Sequence, residues 1–102
     1  MYSKEPEKNE EKYKMVKKIM DEAHYVVSQY MKKEFESLIS LEKVDKNWVA
    51  IVEVLEIKFV PSTQDLLGRY EIKFDQNGIV ESWKQTIVRK RSDKYSVDED
   101  EW

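Results

Sequence analysis

The sequence predicts an α+β domain: one long N-terminal amphipathic helix packed on a three- to four-stranded antiparallel sheet. Three observations predict it. Apolar residues recur at spacings of three and four between Met15 and Met31, which gathers them into one stripe on a helix of about 3.6 residues per turn. Leu66 to Asp75 alternates residue by residue, with Leu66, Gly68, Tyr70, Ile72 and Phe74 in one row and Leu67, Arg69, Glu71, Lys73 and Asp75 in the other. That is the period of a half-buried strand. Asp75-Gln76-Asn77-Gly78 then separates this run from the next, and Asn-Gly tolerates the positive φ angles that tight hairpins need.

Each element follows in order. Residues 1–12 are almost all polar or charged, and 1–6 are expected to fray. The helical pattern runs from near Glu7 to about Glu36, carried by Met15, Val16, Ile19, Met20, Ala23, Val26, Val27, Tyr30 and Met31, with no Pro or Gly inside it. Ser37 to Val44 reads as a short strand, and Asp45-Lys46-Asn47 as a turn. Trp48 to Val60 is rich in β-branched residues and apolar on both faces: Trp48, Ala50, Val52 and Val54 on one, Val49, Ile51, Leu55 and Ile57 on the other. Such a strand is central or has a second partner. Pro61 ends it, because proline cannot donate to a ladder. Pro61 to Asp65 is a loop, and Ile79 to Arg91 is the returning strand. The expected domain covers 7–94, and 95–102 is an acidic tail expected to be flexible. A helix across one face of a curled meander resembles cystatin-like folds in layout.

Composition narrows the function. The chain has 102 residues, enough for a single domain with one modest core. Its 18 basic and 21 acidic residues leave a net charge of −3, without the basic excess that draws nucleic acid or anionic membrane. There is no cysteine, so thiolate chemistry and Cys-based metal sites are excluded. The charged first residues lack a signal-peptide core, and Trp48 to Val60 is too short and too charged to span a bilayer. A cytoplasmic setting is expected. His24 is the only histidine and has no metal-binding companion. No nucleophile elbow is present, and two isolated glycines cannot make a phosphate loop. We therefore expect no enzyme, no catalytic residue, no cofactor and no metal.

Several residues have two readings. Glu53 and Glu56, three apart on a strand, point to opposite faces and cannot form one acid/base dyad. They are either tolerated charges, or groups that anchor a basic partner or pair with Arg69 or Arg89 across the sheet. Thr63 and Asp65 either fix their own turn or contact a partner. Arg89, Lys90 and Arg91 either solvate an edge against aggregation or meet an acidic partner or the chain's own acidic tail. Trp48, Pro61, Tyr70, Gly78 and Trp83 are read as structural. One helix covers one sheet face; the second face of the Trp48 strand is either covered by a tight curl or the N-terminal segment, or is an exposed interface.

The run from Asn47 to Trp83 resembles the gas vesicle protein GvpO family. That family's pattern is a Trp, a Val-Glu-Val-Val-Glu strand, a Pro-x-Thr-x-Asp-x-Leu loop, Tyr-Glu-Val, an Asp-x-x-Gly turn and an aromatic strand. Here the counterparts are Trp48, Val52-Glu53-Val54-Leu55-Glu56, Pro61 with Thr63, Asp65 and Leu67, Tyr70-Glu71-Ile72, Asp75 with Gly78, and Trp83. Asn47 stands where members commonly have Gly, and the closing strand is less aromatic than usual. The resemblance implies a non-enzymatic accessory protein needed for gas vesicle formation. It would contact other gas vesicle proteins, the shell protein or accessory proteins among them, and associate with gas vesicles. The alternative is a cystatin-like binding or inhibitor module unconnected with gas vesicles.

Overall fold

The computed structural model describes residues 5–93, with side chains from residue 10 onward. Helix α1, Glu5–Tyr25, continues into a π turn, Val26–Tyr30. Strands β1, Glu34–Val44, β2, Asn47–Ile57, β3, Leu66–Phe74, and β4, Val80–Lys90, form one antiparallel sheet in the order β1-β2-β3-β4. A short 3-10 turn, Ser62–Gln64, lies between β2 and β3. The expected tail 95–102 and the first four residues lie outside the described part; Glu5 and Pro6 belong to the helix. Proline is tolerated there, because first-turn N–H groups have no helical partner anyway.

The helix ends earlier than Glu36, and the first strand begins earlier than Ser37. The N–H of Met31 donates to Val26 O at 2.9 Å and that of Lys33 to Val27 O at 2.9 Å. Lys32 then takes φ 60°, the left-handed position that stops helices. Glycine usually marks that position, and a lysine gives no such sign. The strand that follows carries two bulges, between Phe35 and Ser37 and between Leu38 and Ser40. Each adds a residue, so Phe35, Leu38 and Leu41 face the core at intervals of three. That interval continued the helical rhythm in the sequence and concealed the strand.

Strand β2 stops at Ile57, three residues before the expected end at Val60. Asp65 Oδ1 accepts the N–H of Phe59 at 2.7 Å and takes the chain out of the ladder. The β3–β4 hairpin falls where Asn-Gly predicts it, though only Gly78, at φ 83°, is left-handed. Asp75 Oδ1 accepts the N–H groups of Asn77 at 2.8 Å and Ile79 at 3.0 Å, which sets the turn.

Direct cross-strand partners give the core face. Trp48 lies opposite Phe74, Ala50 opposite Ile72, Val52 opposite Tyr70 and Val54 opposite Gly68. One buried cluster joins Trp48, Ala50, Val52, Val54, Ile72 and Phe74 of the sheet with Ile19, Ala23, Val26 and Val27 of the helical segment. Replacing Phe74, which is fully buried, with Ala should lower unfolding free energy by about 3–5 kcal/mol. Ile39→Ala, on a side chain nearly half exposed, should cost well under 1 kcal/mol or so. Urea denaturation of both variants checks the contrast.

Candidate functional site

The chemistry-bearing side chains fall into three polar clusters on the two faces of the sheet. The first surrounds Glu53. A strand residue between Val52 and Val54, both of which face the core, must point to the other face. Its direct partner on β3 is Arg69, and Arg89 lies opposite Leu67 on β4. Arg89 donates twice to the Glu53 carboxylate, Nε to Oε2 at 2.8 Å and Nη2 to Oε1 at 2.9 Å. Arg69 Nη2 adds a bond to Oε2 at 3.1 Å. Glu53 is 3% exposed. The Arg89 hydrogen bonds, together with those of Arg69, hold its carboxyl below the usual range against the opposing effect of burial. The same pairing raises Arg89. Its remaining Nη1 donates to the carbonyls of Lys90 at 3.2 Å and Asp93 at 3.1 Å.

Asp65, 2% exposed, centres the second cluster. Besides Phe59 N–H it accepts from Arg91 through Nε at 3.3 Å and Nη2 at 3.2 Å. Arg91 N–H donates to Asp65 O at 2.8 Å. The same guanidinium forks onto Glu36 of β1, at 3.0 and 2.9 Å. Arg91 thus joins the end of β4, the β2–β3 loop and β1, the opposite edge of the sheet. Its pKa is raised, first by the Glu36 hydrogen bonds. The loop itself closes through Gln64 N–H to Pro61 O at 3.0 Å and Asp65 N–H to Ser62 O at 2.9 Å.

The third cluster lies on the core face, around Glu56. Its carboxylate accepts from Tyr70 OH at 2.7 Å, Gln85 Nε2 at 3.0 Å and Lys33 Nζ at 3.1 Å. Burial raises the Glu56 pKa, but the Tyr70 and Lys33 bonds outweigh it and leave the group lowered. Burial, then the hydrogen bond to Glu56, pushes Tyr70 up to about 12. The Glu56 side chain lies over Gly68, where any Cβ would collide with its carboxylate.

The expected residues therefore separate. Glu53, Asp65, Arg89 and Arg91 form the two ionic clusters, and Glu56 with Tyr70 forms the third. Thr63 and Lys90 are exposed. Trp48 and Gly78 are buried, whereas Trp83 is 38% exposed and stacks on Tyr30 with ring centroids 5.7 Å apart. Glu36, Lys33 and Gln85 were not singled out from the sequence. Glu36 and Arg91 are separated by 55 positions, and no local pattern links residues so far apart. An open groove of about 840 Å³ runs beside the helix, with Met15, Val16, Met20, Leu38, Leu41 and Trp48 among its walls. Among the described residues, no three His, Asp or Glu side chains converge as metal ligands would. No helix among them is long and apolar enough to cross a membrane.

Comparison with known proteins agrees with the resemblance in the sequence. The family described as gas vesicle synthesis protein GvpO matches residues 2–95. The chain is similar to gas vesicle protein O1 of Halobacterium salinarum, 42% identical over 60 residues, which is 59% of this chain and 50% of that protein. It is 35% identical over 72 residues to gas vesicle protein O of Haloferax mediterranei, covering 70% of this chain and 51% of the relative. A Streptomyces gas vesicle protein O is 38% identical over 63 residues, 60% of this chain and 49% of the relative. The chain spans about half the length of the curated relatives it matches. No solved structure matches it. The chain belongs to the GvpO family.

Two outcomes test the clusters. Glu53 titrates below its ordinary value of 4.5 when folded. Its contribution is therefore fully present above that value and lost as pH falls through the lower folded value. Glu53→Gln, which mimics the protonated group, should lower stability at neutral pH by about 3 kcal/mol. It should also flatten the acid limb, so that the two stability curves converge below pH 4.5. Urea unfolding across that range measures both. Gly68→Ala should cost about 1–3 kcal/mol by overpacking. Glu56→Ala should relieve much of that collision, so a double-mutant cycle should give a coupling above about 0.5 kcal/mol.

Proposed function

We propose that this member of the GvpO family is a non-enzymatic accessory protein needed for gas vesicle formation, and that it acts by protein–protein contact with other gas vesicle proteins. The family match over residues 2–95 carries the reading. The partners are the shell protein, accessory proteins or both, met in the cytoplasm and at the vesicle. In this reading the helix lies across one face of the sheet in a cystatin-like layout.

The chemistry of the chain supports contact rather than catalysis. The buried carboxylates Glu53 and Asp65 are bound to internal cations and N–H groups, so neither is poised as a general base. What the molecule offers outward is a densely charged surface, with 38% charged residues in the chain, interrupted by apolar and aromatic side chains. Phe59, Val60, Tyr25, Tyr30 and Trp83 are among these. Exposed aromatics and aliphatics in such a setting suit association. A charged module with apolar contact points can hold an aggregation-prone shell subunit before assembly.

Deleting the gene in its host, followed by phase-contrast microscopy and cell flotation, tests the role. We expect vesicles to vanish and to return when the gene is restored. Vesicles that persist in the deletion strain would remove the claim that the protein is needed.

A further inference from the structure

The core face of the sheet continues past the end of the helix. Ile57, Leu66 and Lys90 lie directly opposite one another on β2, β3 and β4, and Val54, Gly68 and Val88 form the neighbouring row. Leu66 is two residues from Gly68, and Val88 two from Lys90. Both rows therefore share the face of the buried Val54. The π turn ends at Tyr30, and Lys33 with Glu56 stands at the boundary of the core. Beyond that boundary Ile57 and Val88 are each 49% exposed, and the chain leaving Ile57 adds Phe59 at 45% and Val60 at 98%.

This apolar surface is held in place. Asp65 binds the N–H of Phe59, Arg91 binds Asp65, and Glu36 binds Arg91. An apolar loop already fixed loses little freedom when a partner covers it.

Charge selects the partner. Glu36, Glu53, Glu56 and Asp65, at this end of the sheet, are each paired with a cation of the chain, whereas Asp93, exposed just beyond β4 with its N–H on Lys90 O, makes no ion pair among the described residues. Lys58, beside Ile57, and Lys90, in its row, are exposed and make no ion pair among the described residues. Glu34 lies opposite Leu55, on the other face. Lys58 follows Ile57 directly in the chain and Lys90 lies in the row of Ile57 and Leu66, so two lysines without an ion pair stand beside the exposed apolar residues.

We infer that the surface formed by Ile57, Phe59, Val60 and Val88, with Lys58 and Lys90 at its margin, docks an apolar segment flanked by carboxylates on a partner protein. The inference rests on the contact reading proposed above and names the surface that makes the contact.

The test uses the full chain and each gas vesicle protein of the host, purified individually. Val60→Asp and a Lys58→Glu/Lys90→Glu pair alter exposed side chains, and unchanged melting curves verify that both variants fold. If the wild-type chain binds one of these proteins, each variant should weaken that affinity about tenfold or more. Wild-type affinity should also fall as salt rises. Val44→Asp, at the far end of β1 and also exposed, should leave it unchanged. Variants that bind as well as wild type would overturn the docking surface while the contact reading stands. Affinity indifferent to salt would overturn the acidic partner. A wild-type dimer abolished by Val60→Asp would assign the surface to a second copy instead. A wild-type chain that binds none of the proteins would remove the contact reading, and this inference with it.

Discussion

Glu53 is a carboxylate buried near the middle of a central strand, and two guanidiniums close over it. A charge taken out of water in this way is tolerable only when paired and fully hydrogen-bonded. That requirement reaches through the sheet. It fixes Arg69 directly across β2 and β3, and it draws Arg89 in from β4. A slip of one residue in β2 would turn Glu53 into the apolar core and Val54 out to the arginines. Ion pairs of this kind contribute less to stability than a packed apolar equivalent would. Their larger effect here is on register, because only one alignment of the strands satisfies them.

The same group explains how a four-stranded sheet manages with one helix. The core face collects Ile72, Phe74 and the even-numbered residues Trp48 to Val54 into the buried cluster. No helix or strand is left among the described elements to make a second layer on the opposite face. That face nevertheless holds Leu67 at 3% exposure beside half-buried Val49, Ile51 and Leu55. Arginine side chains carry long apolar stems and place charge only at the tip. A face with arginines at its centre can therefore shelter aliphatic neighbours while its heads satisfy the carboxylate. The bulge between Leu55 and Ile57 completes the division by moving Ile57 to the other face.

Much of this was legible in the sequence where the signal was local. The helical stripe, the alternation of β3, the Asn-Gly turn and the opposite orientation of Glu53 and Glu56 all depend on residues within a few positions of each other. Strand alternation makes Arg69 and Arg89 possible partners of Glu53 or Glu56 without choosing between the two carboxylates; the structure gives both to Glu53. The failures have physical causes of equal clarity. Lys32 closes the helix in a conformation that glycine usually advertises. Phe35, Leu38 and Leu41 reach the core through two bulges that imitate helical spacing. Alternation leaves the second face of β2 open between a cover, by a tight curl or the N-terminal segment, and an exposed interface, because it counts Ile57 among that face's apolar residues and cannot count two folded-over guanidiniums. Arg91 and Glu36 meet through tertiary structure alone.

The motif that links the chain to its family gains a physical meaning from these contacts. Glu53, Glu56, Asp65, Tyr70 and Asp75 all lie within it, and each spends its polar atoms on another part of the same chain. The motif thus describes how the sheet is braced. Side chains committed inward have few hydrogen bonds left for a partner, whereas Phe59 and Val60 lie between two braced motif elements and are exposed. Bracing and presentation are then two aspects of one arrangement. The buried carboxylate of Asp65 holds the loop's backbone at Phe59, and the apolar side chains that loop carries remain outside.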